Sequence, residues 1–206
     1  MKFILGNHWT SAPQGWTVLK QEDQDLTAPL KWADNSVDVI FTEHVVEHLK
    51  MTDTILFFKE AHRILKDGGI LRTVCPFINQ IARIVSGRHH DELLENYFNS
   101  SIQQYYRPEL AVIHELGIDP FLAWKQLMVD SLIKNHGHQM VWDSEFMCTV
   151  LKKIGFRDVM QCHPGETEFD DDTCLERRYR GVDAIKAAEY GMDTVDFEGF
   201  VVEALK

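Results

Sequence analysis

The run His44-Val45-Val46-Glu47-His48 sets two histidines four residues apart with a glutamate beside the second. On a helix this spacing turns both imidazoles toward one divalent ion and leaves the carboxylate to activate a water, as in zinc hydrolases. Such a site needs a third ligand, for which Glu60 and Glu115 are the candidates. Short patterns also arise by chance, and this one follows directly on the compact β-branched run 37–41. A packing role for Glu47 and His48 at a strand-to-helix turn therefore stands beside the hydrolytic one.

Other residue types invite the same weighing. Gly6-Asn7-His8 follows a short apolar run, where open α/β sheets use a glycine to let backbone approach a ligand, but no Gly-x-Gly-x-x-Gly pattern accompanies it. His89-His90 and His136-Gly137-His138 read as loop histidines, so no metal site is expected from them. The acidic run Glu166, Glu168, Asp170, Asp171 and Asp172 lacks the spacing and glycine of a calcium loop and reads as solvated. Phe121, Trp124, Leu127 and Met128 form an apolar stripe suited to a core or to a homodimer contact. Cys75, Cys148, Cys162 and Cys174 form no Cys-x-x-Cys pair and read as reduced thiols of a cytoplasmic protein.

The elements that must position these residues follow from hydrophobic pattern and turn chemistry. Short strands are expected at 2–5 and 16–19, the second after the Pro13-Gln14-Gly15 turn. The run 37–41, after Asp34-Asn35-Ser36, suits a buried parallel strand. From Thr54 the positions Phe57, Phe58, Ala61, Ile64 and Leu65 keep helical spacing, with Gly68-Gly69 as the stop, and a strand at 70–75 ends at Pro76. Strand, helix and strand in that order predict a parallel α/β sheet. Residues 77–135 are helical in pattern at 78–85, 91–97, 108–116 and 120–133, a block read as a lid or substrate-side cap inserted in one domain spanning 1–206. A further helix ends at Gly155, followed by late strands at 156–162 and 199–204.

With those elements in place, the stretch Asp34-Asn35-Ser36-Val37-Asp38, followed by His44-Val45-Val46-Glu47-His48-Leu49, resembles small class I S-adenosylmethionine-dependent methyltransferases of the type 11 kind. The resemblance extends to Lys2-Phe3-Ile4-Leu5-Gly6-Asn7, to the 21–26 segment, to Leu65-Lys66-Asp67-Gly68-Gly69, and to Ile154-Gly155-Phe156. It implies a Rossmann-like methyltransferase fold with a mostly parallel sheet, helices on both faces, and S-adenosylmethionine as cofactor. It further implies Gly6 and Asn7 near the methionine moiety, Glu22, Asp25 and Leu26 around the ribose and adenine, and Glu43 and His44 lining the pocket after the 37–41 strand. A histidine before the Trp142-Asp143 pair, here His138, would face the substrate and act as general base. Two positions depart from the pattern: His8-Trp9 stands where a glycine-rich turn is usual. Lys20 stands where an acid usually accepts from the ribose hydroxyls, which an ammonium cannot do.

Charge narrows the partners. Lys and Arg total 21 against 32 Asp and Glu, a net charge of −11, and such a surface repels nucleic acid and anionic membrane alike. No apolar stretch reaches the roughly 18 residues of a membrane span, and the amino-terminal run is broken too early for a signal peptide. The expected activity is methyl transfer to a small molecule. A catalytically inactive methyltransferase-fold binding or scaffold protein, and a zinc hydrolase acting through His-x-x-Glu-His, remain as alternatives.

Overall fold

The computed structural model describes residues 1–6, 12–76, 78–87, 94–95, 98–99, 103, 105–134, 137–170, 173–178 and 199–206. Asn7, His8, Trp9, His89, His90, His136, Asp171, Asp172, the side chain of Phe121 and most of the expected 91–97 helix lie outside this set.

Six strands form one sheet: β1 (Lys2–Leu5), β2 (Trp16–Leu19), β3 (Val37–Glu43), β4 (Leu65–Pro76), β5 (Arg157–Cys162) and β6 (Gly199–Leu205), in the spatial order β2-β1-β3-β4-β6-β5. β1 runs parallel to β2 and β3, and β3 parallel to β4, whereas β6 is antiparallel to both β4 and β5. The chain leaves β1 toward β2 on one side and returns to place β3 on the other. That reversal makes the carboxyl ends of β1 and β3 the topological switch point, where open α/β sheets leave a crevice.

Every residue of β3 except Asp38 is buried, as expected of a strand covered on both faces. Strict alternation then sorts the side chains. Phe3, Leu5, Ile40, Leu71, Cys75, Phe200 and Val202 join the main core, while Ile4, Phe41, Val74 and Val201 join a second cluster with Leu175. Helix α1 (Met51–Ile64) buries Thr54, Phe57, Phe58, Ala61 and Ile64, a stripe at helical spacing that packs into the main core. α1 also pins the preceding loop: Arg63 donates to the carbonyls of Leu30 (2.8 Å) and Trp32 (2.9 Å), and Glu60 accepts from the amide of Leu30 (2.8 Å).

Helix α2 (Ile78–Ser86), α3 (Arg107–Glu115) and α4 (Pro120–Lys134) follow β4. Ile84, Leu94, Phe98, Tyr106, Trp124, Leu127, Met128 and Leu132 form a core of their own, so Trp124, Leu127 and Met128 of the apolar stripe are buried inside the helical segment. α5 (Ser144–Ile154) starts at Asp143, whose carboxylate accepts from the Phe146 amide (2.9 Å), and stops at Gly155 with φ +124°. α6 (Leu175–Arg178) is a single turn.

The expected glycine stop after α1 is corrected. β4 begins at Leu65, and Gly68-Gly69 lies inside it at a register shift between Val37 and Val39. The strand extends because Gly68 and Gly69 exchange backbone hydrogen bonds with Lys206, both of 3.0 Å, beyond the end of β6. Pairing across the sheet thus overrides the local helix-stop signal.

Candidate functional site

Register brings the sequence-predicted residues to one edge of the sheet. Leu5 pairs with Leu19 and with Thr42, so Gly6, Lys20 and Glu43-His44 emerge together where β1, β2 and β3 end. Gly6 has φ +154°, a conformation open to glycine. Glu43 is fully buried at the last position of β3. His44 follows with φ +51°, a left-handed conformation that a histidine adopts only when its surroundings impose it, and its amide donates to the Val74 carbonyl (3.0 Å).

The loop after β2 carries the remaining expected contacts on the outside of the molecule. Glu22 and Asp25 are exposed and Leu26 is half-buried against the main core. Asp25 Oδ1 accepts from both the amide and the hydroxyl of Thr27 at 2.8 Å, and those bonds, the amide's first, hold the carboxyl below its usual range. Lys20 is exposed, and its amide donates to Asp23 Oδ2 (2.9 Å).

Beyond His44 the chain does not form the helix that a His-x-x-Glu-His metal motif requires. Val46–His48 is one tight 3-10 turn, and His44 Nδ1 lies 3.0 Å from Glu47 Oε1. Glu60 is engaged by Arg63 and the Leu30 amide, and Glu115 is exposed on α3, so neither supplies the expected third ligand. A different histidine joins the turn. The amides of Gln139 (2.8 Å) and Met140 (3.1 Å) both donate to the Glu47 carbonyl, and Gln139 Nε2 donates to the His48 carbonyl (2.8 Å). This docking brings the His138 ring to 4.9 Å from the His48 ring, edge to face, with His138 Nδ1 2.8 Å from the Leu132 carbonyl. Burial pushes the His48 imidazole below its ordinary value, against the opposing pull of Glu47, so His48 is held neutral.

Sequence reasoning missed the polar atoms that folding leaves without partners. Glu47 is fully buried, and its Oε2 has no hydrogen-bond partner among the described residues. Thr42 and Thr73 sit opposite each other in the β3 and β4 register with both hydroxyls unpartnered, and the amide of Gln80 at the start of α2 is likewise unsatisfied. Such groups cost free energy unless a ligand, ion or water meets them. Of these residues the sequence singled out only Glu47, through the His-x-x-Glu-His spacing; Thr42, Thr73 and Gln80 carried no signal.

On the opposite face, Arg72 and Glu203 are register partners, both fully buried. Arg72 binds Glu176 (Nε to Oε2, 3.1 Å) and Glu203 (Nη1 to Oε1, 2.7 Å), and donates to the Glu166 carbonyl (3.1 Å). Thr167 and Thr173 donate their hydroxyls to Glu203 at 2.9 and 3.2 Å. The acidic loop therefore keeps the Glu166 and Glu168 side chains in solvent, as expected, while its backbone and threonines close over an internal ion network.

Residues 9–73 match the family described as methyltransferase domain, a segment that contains β2, β3, α1 and the His44–His48 turn. No curated protein matches the sequence. Among solved structures, the chain resembles an S-adenosylmethionine-dependent methyltransferase from Mesorhizobium loti at 14% identity and TM-score 0.48, over 95% of this chain and 72% of that one. It also resembles one from Archaeoglobus fulgidus at 15% identity and TM-score 0.46, over 93% and 68%. A third is the phosphoethanolamine N-methyltransferase 2 of Haemonchus contortus in complex with S-adenosyl-L-methionine, at 16% identity and TM-score 0.40, over 93% of this chain and 37% of that one. Across such structures the chain spans as little as 32% of the other protein's length. No helix among the described residues is long and apolar enough to cross a membrane.

Proposed function

Residues 9–73 match the methyltransferase-domain family, and from that match we propose that the chain transfers a methyl group from S-adenosylmethionine to a small-molecule acceptor. The observation that carries the reading is the topological switch point, where the register brings Gly6, Glu43 and His44 to the carboxyl ends of β1 and β3. When bound there, the sulfonium donor supplies an already activated methyl group, so the protein's task is alignment and proton removal.

The residues present suit that task in different degrees. Gly6 admits a ligand close to the backbone, and Glu43 sets a buried carboxylate at the carboxyl end of β3. Thr42 and Thr73 add two hydroxyls in need of partners. Leu26 gives an apolar surface for a flat ring, and Asp25, with Oδ1 held by Thr27, offers its second oxygen. Lys20 cannot accept from ribose hydroxyls, which leaves exposed Glu22, two residues on, as the acceptor. In this reading His138 takes the acceptor's proton, because its Nδ1 donates to the Leu132 carbonyl and Nε2 is then the basic nitrogen.

Calorimetric titration with S-adenosylmethionine and S-adenosylhomocysteine tests the proposal. We expect binding of both, weakened by Glu43→Gln and strengthened by Lys20→Asp. Absence of heat and of thermal stabilisation with either ligand overturns it and leaves a methyltransferase-like fold used as a binding or scaffold module.

A further inference from the structure

The geometry points to a divalent transition-metal site formed by Glu47, His48 and His138. One carboxylate oxygen of Glu47 and one ring nitrogen from each histidine all lie within 4.8 Å of one another. These three residues are joined by the fold, since the 137–140 segment is clamped to the 46–48 turn through the Glu47 and His48 carbonyls.

A second and independent observation points to a ligand. The Glu47 side chain is fully buried and its Oε2 has no partner among the described residues, although a buried ionised carboxylate is costly unless a cation or donors meet it. His44 Nδ1, at 3.0 Å, satisfies only Oε1. His44 thus acts on the site through the carboxylate, as an orienting residue behind a ligand, and its left-handed backbone is the conformation that lets it reach. His138 shows the same outer-shell pattern: Nδ1 on the Leu132 carbonyl fixes the tautomer and turns Nε2 into the donor atom.

Two imidazoles and one carboxylate suit zinc, manganese, iron or cobalt, and disfavour magnesium and calcium, which take oxygen ligands. Metal–nitrogen bonds of about 2.0–2.1 Å hold neighbouring ligand atoms roughly 3 Å apart, so the ion would shorten the separations between the ligand atoms by up to about 2 Å. Three protein ligands leave coordination positions open, and an acceptor hydroxyl bound there would lose its proton more readily. With the ion in place, His138 Nε2 holds metal, and the ion takes over the work given above to a base. The site itself does not rest on the methyl-transfer reading.

Tag-free protein, stripped with chelator and free of S-adenosylmethionine, is titrated with Zn2+, Mn2+ and Co2+ by calorimetry, and the Co2+ form is read by its visible absorption. One equivalent per chain is expected, with a Co2+ spectrum of mixed nitrogen and oxygen coordination. Glu47→Gln, His48→Gln and His138→Ala should each weaken binding at least about tenfold, while His114→Ala, at an exposed histidine of α3, leaves it unchanged. His138 lies outside helix and strand, so its variant keeps the test open should the Glu47 variant not fold. No stoichiometric ion in the parent, or equal affinity in parent and all three variants, overturns the assignment. Either outcome is independent of whether S-adenosylmethionine binds.

Discussion

Removing the Arg72 guanidinium while keeping its carboxylate partners is the sharpest perturbation that the sheet offers. Arg72, Glu176 and Glu203 are all fully buried, and burial alone would favour a neutral guanidinium. The hydrogen bonds and charge of Glu176 and then Glu203 outweigh it and hold Arg72 firmly protonated. Arg72→Met fits a similar stem into the same space and leaves two carboxylates enclosed without a cation. Breaking one member out of a buried ion pair costs about 3–5 kcal/mol, and for a chain of this length each kcal/mol moves the melting temperature by about 2–4 °C. The expected fall is therefore on the order of 6–20 °C by calorimetry. The triple variant Arg72→Met, Glu176→Leu, Glu203→Leu should recover most of the loss, since apolar replacement of a whole buried ion cluster is often neutral. A melting temperature for Arg72→Met within about 2 °C of the parent would refute the reasoning, for it would mean that the 163–176 loop does not seal the network.

Three further predictions concern the helices around the main core. Burial, and then the charge of Lys206, push the His62 imidazole below its ordinary value of 6.5. The unfolded chain therefore binds more protons than the folded one, stability falls as the pH drops below about 6.5, and His62→Gln should flatten that slope in urea midpoints measured between about pH 5 and 7. Asp143→Ala removes the side-chain acceptor of the Phe146 amide and should cost about 1 kcal/mol in chemical denaturation. Gly155→Ala places a Cβ 3.2 Å from His62 Nε2 on a backbone at φ +124°, and a loss of about 1–3 kcal/mol is expected by the same assay, larger than that of the cap.

How much of this could be read in advance depended on how local the cause was. Lys2–Leu5 and Trp16–Leu19 were legible because turn residues bound each short apolar run, and α1 because Phe57, Phe58, Ala61 and Ile64 repeat at helical spacing within it. The start of β4 was not, because hydrogen bonds to Lys206 draw Gly68-Gly69 into the strand. Likewise Arg72 looked like an ordinary strand residue, since Glu176, which neutralises it, lies 104 positions away. At the candidate site, His44, Glu47, His48 and His138 were all singled out by residue type, yet they were grouped wrongly. The four-residue spacing paired His44 with His48, whereas the tight turn at Val46–His48 and the docking of Gln139, 91 positions distant, pair His48 with His138.

That regrouping also lets one short segment contribute to both the proposed cofactor site and the proposed metal site. β3 ends at Glu43, on the face opposite Thr42, and the left-handed His44 ends the strand's extended geometry there. Residues on the two sides of His44 can then serve different partners: Glu43 belongs with Gly6 at the β1 and β3 ends, while Glu47 and His48 belong with the 137–142 segment. A helix beginning directly after β3 would have turned His44 and His48 to one side. The Val46 carbonyl accepts from Trp142 Nε1 (3.4 Å) and from the Thr54 hydroxyl (3.3 Å), α1 begins only at Met51, and the turn between them keeps Glu47 and His48 on the 137–142 side.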